Sequence, residues 1–171
     1  MKKTLLLALT ASLLLASCSV FGKLSEVEYN NTVVDQINTV STAIEDSATL
    51  YNETIPDLVT ESSTIDSTEM TTSYGAATNA LVEVDALLLL ESRNIEQQNS
   101  VRTEIQTYQS AANEYLDLYK QMLDYYISAS YAQDLSKVQS FDEGLHTSYT
   151  TFIQANNDLV DILDGFVSNE E

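Results

Sequence analysis

The chain has 171 residues, with 26 acidic against seven basic side chains and a net charge of −19 at pH 7. Such a negative surface repels phosphate groups, so the charge balance argues against nucleic acid as a partner. Four glycines, one proline and one cysteine are too few for the turns of a β-sandwich or for a disulfide framework. The composition therefore predicts an all-α fold of long helices.

The first 17 residues have the pattern of a secretory signal. Lys2 and Lys3 give a positive start, and residues 4–15 (TLLLALTASLLL) form an apolar segment. Crossing a bilayer takes about 20 apolar residues, so this segment is too short for a membrane-spanning helix. We therefore expect it to be a signal peptide that is removed from the mature chain.

The stretch Leu15-Ala16-Ser17-Cys18 follows, where a signal peptide would be cleaved. It resembles the lipobox of bacterial lipoprotein precursors, in which an aliphatic residue and two small residues precede a cysteine. The resemblance covers the first 18 residues. It implies cleavage between Ser17 and Cys18 and a lipid with palmitate-type acyl chains on the Cys18 sulfur. It also implies a place in the bacterial cell envelope, on the extracytoplasmic side of a membrane; Ser19 implies the outer membrane if the cell has two.

These patterns divide the chain into four parts. We expect a signal peptide at 1–17, a lipid-anchored stalk at 18–24, a helical bundle at 25–167 and an acidic tail at 168–171. Without the signal peptide, five bases face 26 acids, and the net charge becomes −21. The alternative for the N-terminus is a secreted or single-pass membrane protein in which Cys18 is incidental.

A capping box marks the start of the first helix. Ser25 is placed to cap it, and Glu28 stands where its side chain can reach back to the Ser25 backbone. Apolar residues then recur every three or four positions as far as Ile55, which predicts one buried helix face. Pro56 ends or kinks this helix, and residues 56–65 are predicted to form a polar connection.

The second helix is predicted from a similar capping box at Asp66–Glu69. Its segment 85–91 (DALLLLE) is apolar on more than one face, so we expect this helix to be the most buried. The third helix begins near Asn94. The fourth begins near Asp134 or Ser136 and ends near Gly165, which can adopt the left-handed conformation that stops a helix.

Short links between amphipathic helices make neighbouring helices antiparallel. The sequence therefore predicts a monomeric, antiparallel up-down-up-down four-helix bundle. The alternative is a three-helix bundle against which the first helix docks loosely.

Tyrosines dominate the apolar stripe of the third helix. Tyr108, Tyr115, Tyr119 and Tyr126 follow one another in steps of seven and four. A tyrosine can bury its ring, but its hydroxyl needs a partner. Two interpretations stay open: the rings pack at the edges of the core with their hydroxyls reaching solvent, or the stripe lines a groove for a ligand or a protein partner.

Residues for catalysis or metal binding are sparse. Glu143 and His146 have the Glu-x-x-His spacing of di-metal bundles, but such sites need two histidines and the chain has one. Asp158, Asp161 and Asp164 lack the spacing of a calcium loop. We expect a histidine at the edge of a helix face, a solvated acidic face, no metal, no cofactor and no enzymatic activity.

Three classes of function remain. The first is a non-enzymatic, lipid-anchored envelope protein whose bundle is structural or binds another envelope protein. The alternative is a module of the envelope that binds or senses a small molecule or a cation. An enzyme ranks last, because His146 stands beside the apolar face rather than on it.

Overall fold

Four α-helices make up most of the chain in the computed structural model, which describes residues 22–61, 67–128 and 134–167. The helices are α1 (Glu26–Glu61), α2 (Thr68–Val82), α3 (Ile95–Ile127) and α4 (Leu135–Val167). A 3-10 helix, η1 (Glu83–Leu89), continues α2. Within these ranges there is no strand beyond an isolated bridge, and the prediction of an all-α fold is confirmed.

Several predictions fall on parts of the chain outside the described residues. These are the signal peptide at 1–17, Cys18 with most of the 18–24 stalk, Asp66 of the second capping box, and the acidic tail at 168–171. They remain predictions.

The helices share one hydrophobic core. α1 packs against α2 and α4, α3 packs against α2 and α4, and α1 and α3 make few contacts with each other. Seven apolar residues of α1 are buried, so the first helix is an integral part of the bundle and is not loosely docked. Its buried apolar residues are Tyr29, Val33, Ile37, Val40, Ile44, Tyr51 and Ile55.

Three predicted helix starts are confirmed by their capping bonds. At the start of α1, the Ser25 N–H donates to Glu28 Oε2 at 3.0 Å and the Glu28 N–H donates to Ser25 Oγ at 3.3 Å. The Ser25 hydroxyl, which donates to Glu28 Oε2 at 2.7 Å, and after it the Ser25 N–H lower the pKa of Glu28, because both bonds favour its ionised carboxylate. Asn94 Oδ1 accepts two N–H bonds from the first turn of α3. Asp134 Oδ1 accepts one from the first turn of α4.

Two helices continue past the residues that were predicted to end them. α1 continues through Pro56 to Glu61, so residues 56–61 are helical and not a connection. A proline in a helix removes one backbone hydrogen bond, and α1 tolerates this loss at Pro56. Up to Ile55, the residue before Pro56, the helix is held by its buried face. α4 continues past Gly165 to Val167; among the described glycines, a positive φ occurs at Gly22 and not at Gly165.

The segment after α2 differs most from its prediction. Instead of a fully buried α-helix, residues 83–89 form a 3-10 helix, in which side chains three positions apart lie on one side. Every third side chain is accordingly buried, and Leu89 is 81% exposed. The buried series is Leu81, Val84, Leu87 and Leu90.

The start of α1 is tied to the start of α3 at one end of the bundle. The Leu24 N–H donates to the Glu91 carbonyl, and the Arg93 N–H donates to the Leu24 carbonyl, both at 2.8 Å. Beside them, buried Gln97 accepts from Ser92 Oγ at 2.8 Å and donates to the Glu26 carbonyl at 3.2 Å. Buried polar groups are stable when they are paired in this way, and the network holds the two helix starts together.

Candidate functional site

The tyrosine stripe of α3 lies inside the core. Tyr108, Tyr115, Tyr119 and Tyr126 are each at most 2% exposed. The four rings together therefore do not line an open groove. Nor do they stand at the edge of the core, because all four side chains are almost completely buried and α3 packs against both α2 and α4.

The buried hydroxyls differ in their partners. Ser41 Oγ donates to Asn156 Oδ1 at 3.0 Å and lies 2.9 Å from the Tyr108 hydroxyl. Since the single hydroxyl hydrogen of Ser41 is used by Asn156, Tyr108 is the donor to Ser41. The Tyr119 hydroxyl is buried and has no hydrogen-bond partner among the residues described.

A cleft of about 370 Å³ opens between α1 and α4, with α3 behind it. We call it the tyrosine cleft. Its volume lies in the range of small-molecule sites. Its polar and aromatic lining comes from three helices: Glu45, Thr49, Tyr51, Asn52, Tyr115, Asp142, His146 and Tyr149.

A hydrogen bond joins the two sides of the tyrosine cleft. The Tyr51 hydroxyl of α1 donates to Asp142 Oδ1 of α4 at 2.9 Å. Burial, followed by this bond to Asp142, raises the pKa of Tyr51, so the phenol stays protonated and remains a donor. The bond fixes the position of one carboxylate at the cleft.

The second carboxylate shares the cleft with a tyrosine. Glu45 lines the cleft from α1, and Tyr149 lines it from α4. Burial, and after it the negative charge of Glu45, raises the pKa of Tyr149.

The back of the cleft is a buried tyrosine with spare hydrogen-bonding capacity. The Tyr115 ring lies 5.6 Å from the Tyr149 ring, with the two planes tilted by 58°. Burial raises the pKa of Tyr115, and the hydroxyls of Tyr119, Tyr149 and Tyr51 raise it further. No hydrogen bond from the Tyr115 hydroxyl to another described residue occurs.

The residues singled out for metal chemistry do not form a metal site in the structure. His146 is exposed and lines the tyrosine cleft, whereas Glu143 is exposed outside its lining. Asp158, Asp161 and Asp164 are exposed along α4. Across 22–61, 67–128 and 134–167, no three His, Cys, Asp or Glu side chains come close enough to hold a metal ion.

The sequence contains no local signal for the tyrosine cleft. Glu45, Tyr51 and Tyr149 do not form a motif, and the cleft arises only when α1 and α4 pack at a particular rotation about their axes. Tyr115 was predicted as a groove residue, and it does reach a cleft wall, but from within the core and without the other three tyrosines of its stripe.

None of the helices in the described ranges has the length and apolar character needed to cross a bilayer. Comparisons with protein-family models, with curated proteins and with solved structures find no match to the chain.

Proposed function

We propose that the chain is a bacterial cell-envelope protein, held to a membrane by lipid on Cys18, whose helical bundle acts by binding and not by catalysis. The proposal of a lipid anchor is supported by the lipobox-like stretch Leu15-Ala16-Ser17-Cys18, which follows a positively charged start and an apolar segment. Each buried methylene contributes about 0.8 kcal/mol, so two or more acyl chains give stable attachment where one chain does not.

The position of Leu24 supports a short stalk. Its two backbone bonds to residues 91 and 93 tie it to one end of the bundle. Cys18 precedes Gly22 by four residues, which span at most about 14 Å when extended. A lipid on Cys18 would keep this end of the bundle near the membrane, with the acidic body extending away from it.

We further propose the up-down-up-down order for the four helices. It is supported by the packing of each helix on its neighbours in the chain and of α1 on α4, and by the short links around 62–67 and 128–134. Bundles with such links place consecutive helices antiparallel.

The anchor is tested by acyl labelling in bacteria that express the full chain. The wild-type chain should incorporate labelled palmitate, and its mature form should begin at an acylated Cys18 when analysed by mass spectrometry. Cys18→Ser should incorporate none. Ser17→Ala keeps a small residue before the cysteine and serves as the matched control that should be labelled normally. Label on Cys18→Ser, or none on the wild type, would contradict the anchor.

Within this proposal, the bundle has two candidate roles. One is a structural or protein-binding role in the envelope. The tyrosine stripe of α3 is buried, so it offers no docking groove in support of this role. The other is the binding of a small molecule or a cation, which is supported by the tyrosine cleft with its carboxylates and rings. The second role is therefore the better supported by the geometry of the bundle.

A further inference from the structure

We propose that the tyrosine cleft binds a small organic cation, in which a substituted ammonium group sits among the rings of Tyr51, Tyr115 and Tyr149. The inference rests on the small-molecule role proposed above and names the chemical class of the ligand. It does not depend on the lipid anchor.

The aromatic lining is the first argument. Tyr51, Tyr115 and Tyr149 reach the cleft from α1, α3 and α4, and so surround it from three directions. The 58° tilt between the Tyr115 and Tyr149 rings, with centroids 5.6 Å apart, forms a corner and not a flat stack. The face of an aromatic ring attracts a cation, and several rings around one space are the usual way in which proteins recognise alkylated ammonium groups.

Charge is the second argument. Glu45 and Asp142 bring two carboxylates to the cleft, and no lysine or arginine contributes to its lining. The Tyr51 hydroxyl holds Asp142 in place at 2.9 Å. Two carboxylates repel an anionic ligand and attract a cation, and the strong negative charge of the whole chain acts in the same direction.

The lining distinguishes an organic cation from a metal ion. A calcium ion requires six to eight oxygen ligands, and among the described residues no three His, Cys, Asp or Glu side chains come together in a way that could hold a metal ion. Ala48 and Leu145 add apolar surface to the cleft beside the three rings. An alkylammonium group has carbon atoms that this surface can bury. The cleft therefore has apolar area for the substituents and carboxylates for the charge.

Tyr115 offers a hydrogen-bonding group to a ligand. Its side chain lines the cleft and makes no hydrogen bond to another described residue. Its hydroxyl can therefore bond to a ligand that carries a hydroxyl or an N–H group beside its cationic centre.

Isothermal titration calorimetry on the full chain, purified in detergent, tests the proposal. The probes are choline and putrescine, which carry a quaternary and a primary ammonium group, and 3,3-dimethylbutan-1-ol, the neutral carbon isostere of choline. We expect at least one of the two cations to bind at least tenfold more tightly than the neutral alcohol. The proposal is overturned if neither cation binds at millimolar concentration, or if neither binds at least tenfold more tightly than the alcohol.

Variants locate the binding in the cleft. Tyr149→Leu keeps an apolar side chain but removes a ring, and should weaken binding of the cation by about fivefold to thirtyfold. Tyr149→Phe keeps the ring and should stay within about twofold of the wild type. If Tyr149→Leu binds the cation with unchanged affinity, the cation does not bind in this cleft.

A second pair of variants tests how the carboxylates of the cleft contribute to binding. Glu45→Gln removes a carboxylate that lines the cleft, and should weaken binding by about threefold to tenfold. Asp46→Asn removes the next carboxylate along α1, which is also exposed but is absent from the lining, and should have little effect. Equal losses in both variants would mean that the overall field, and not the cleft, attracts the cation.

A failure of the anchor can be told apart from a failure of this site. The Cys18→Ser chain should lack acyl label and yet bind the cation with wild-type affinity. Thermal unfolding followed by circular dichroism confirms that each variant is folded, so a loss of binding is not a loss of structure.

Discussion

The hydroxyl of Tyr108 lies 2.9 Å from Ser41 Oγ, and this hydrogen bond joins the middle of α3 to α1 inside the core. Tyr108→Phe should lower the free energy of unfolding by about 1 kcal/mol, because Ser41 loses a donor that no water replaces easily. Chemical denaturation, followed by circular dichroism, measures the change. A variant as stable as the wild type would show that the bond makes no net contribution.

Tyr119→Phe makes the same chemical change at a hydroxyl that has no hydrogen-bond partner among the described residues. Because the unpaired hydroxyl costs free energy, its removal should leave the free energy of unfolding unchanged or raise it, by up to about 2 kcal/mol. The ring contacts with Tyr74 and Tyr115 are kept. A loss of stability as large as that of Tyr108→Phe would contradict the structure at this position.

Alkaline pH should unfold the bundle through its tyrosines. Burial raises the pKa of Tyr126 to about 12, and burial also raises the pKa values of Tyr51, Tyr108 and Tyr115. The folded state thus holds these protons more tightly than the unfolded state. Their contribution to stability is complete below pH 10, the usual tyrosine pKa, and is lost as the pH rises through the folded values.

Each such tyrosine should remove about 1.4 kcal/mol of stability per pH unit within that window. Tyrosinate absorbance and helical circular dichroism, recorded in one titration, provide the measurement. The absorbance should rise together with the loss of helix. Ionisation of most tyrosines in a chain that remains fully helical would contradict their burial.

The 3-10 segment η1 predicts opposite responses from two leucines that are two positions apart. Leu87 is fully buried, so Leu87→Ala should cost about 2–5 kcal/mol of unfolding free energy. Leu89 is mostly exposed, so Leu89→Ala should change it by no more than about 0.5 kcal/mol. Denaturant unfolding of the two variants checks this, and similar losses at both positions would favour a fully buried α-helix.

Two helical glycines should respond differently to alanine. No atom lies within 4 Å of the Cβ that Gly75→Ala would add, so the better helix propensity of alanine should raise the unfolding free energy by about 1 kcal/mol. The Cβ at Gly144 would lie 2.9 Å from Leu118 Cδ2, so that side chain must shift. Gly144→Ala should therefore gain less stability than Gly75→Ala. In a Leu118→Ala background the close contact is absent, so the two gains should become equal. Equal gains in the wild-type background would refute the close contact.

Features of the fold that depend on neighbouring residues were predictable from the sequence. Ser25 with Glu28, Asn94 and Asp134 cap helices where expected, because capping depends on side chains within one turn. The predictions at Pro56 and Gly165 relied on the average tendency of proline and glycine to interrupt helices, but both residues lie within longer helices. The burial of every third residue in η1 could not be recognised from the sequence, because every residue in the run of leucines is apolar.

The candidate site could not be predicted in the same way. Tyr51 and Tyr149 are 98 positions apart in the sequence, and each appears as one more apolar position on its own helix. Whether their rings meet each other or a space between them depends on the rotation and spacing of α1 and α4. Those quantities are set by packing along the whole bundle, and no local pattern contains them.

The bonds of Leu24 also determine how the bundle would carry a mechanical load. If the chain is held from the side of Gly22, a pull on it acts first on the bond from Arg93 Nε to the Lys23 carbonyl and then on the two backbone bonds of Leu24 to Glu91 and Arg93. Both of these must break before the force can unwind the first turn of α1. The pull is thereby passed directly to the connection that leads into α3, and the helix that begins nearest the point of attachment is shielded from it.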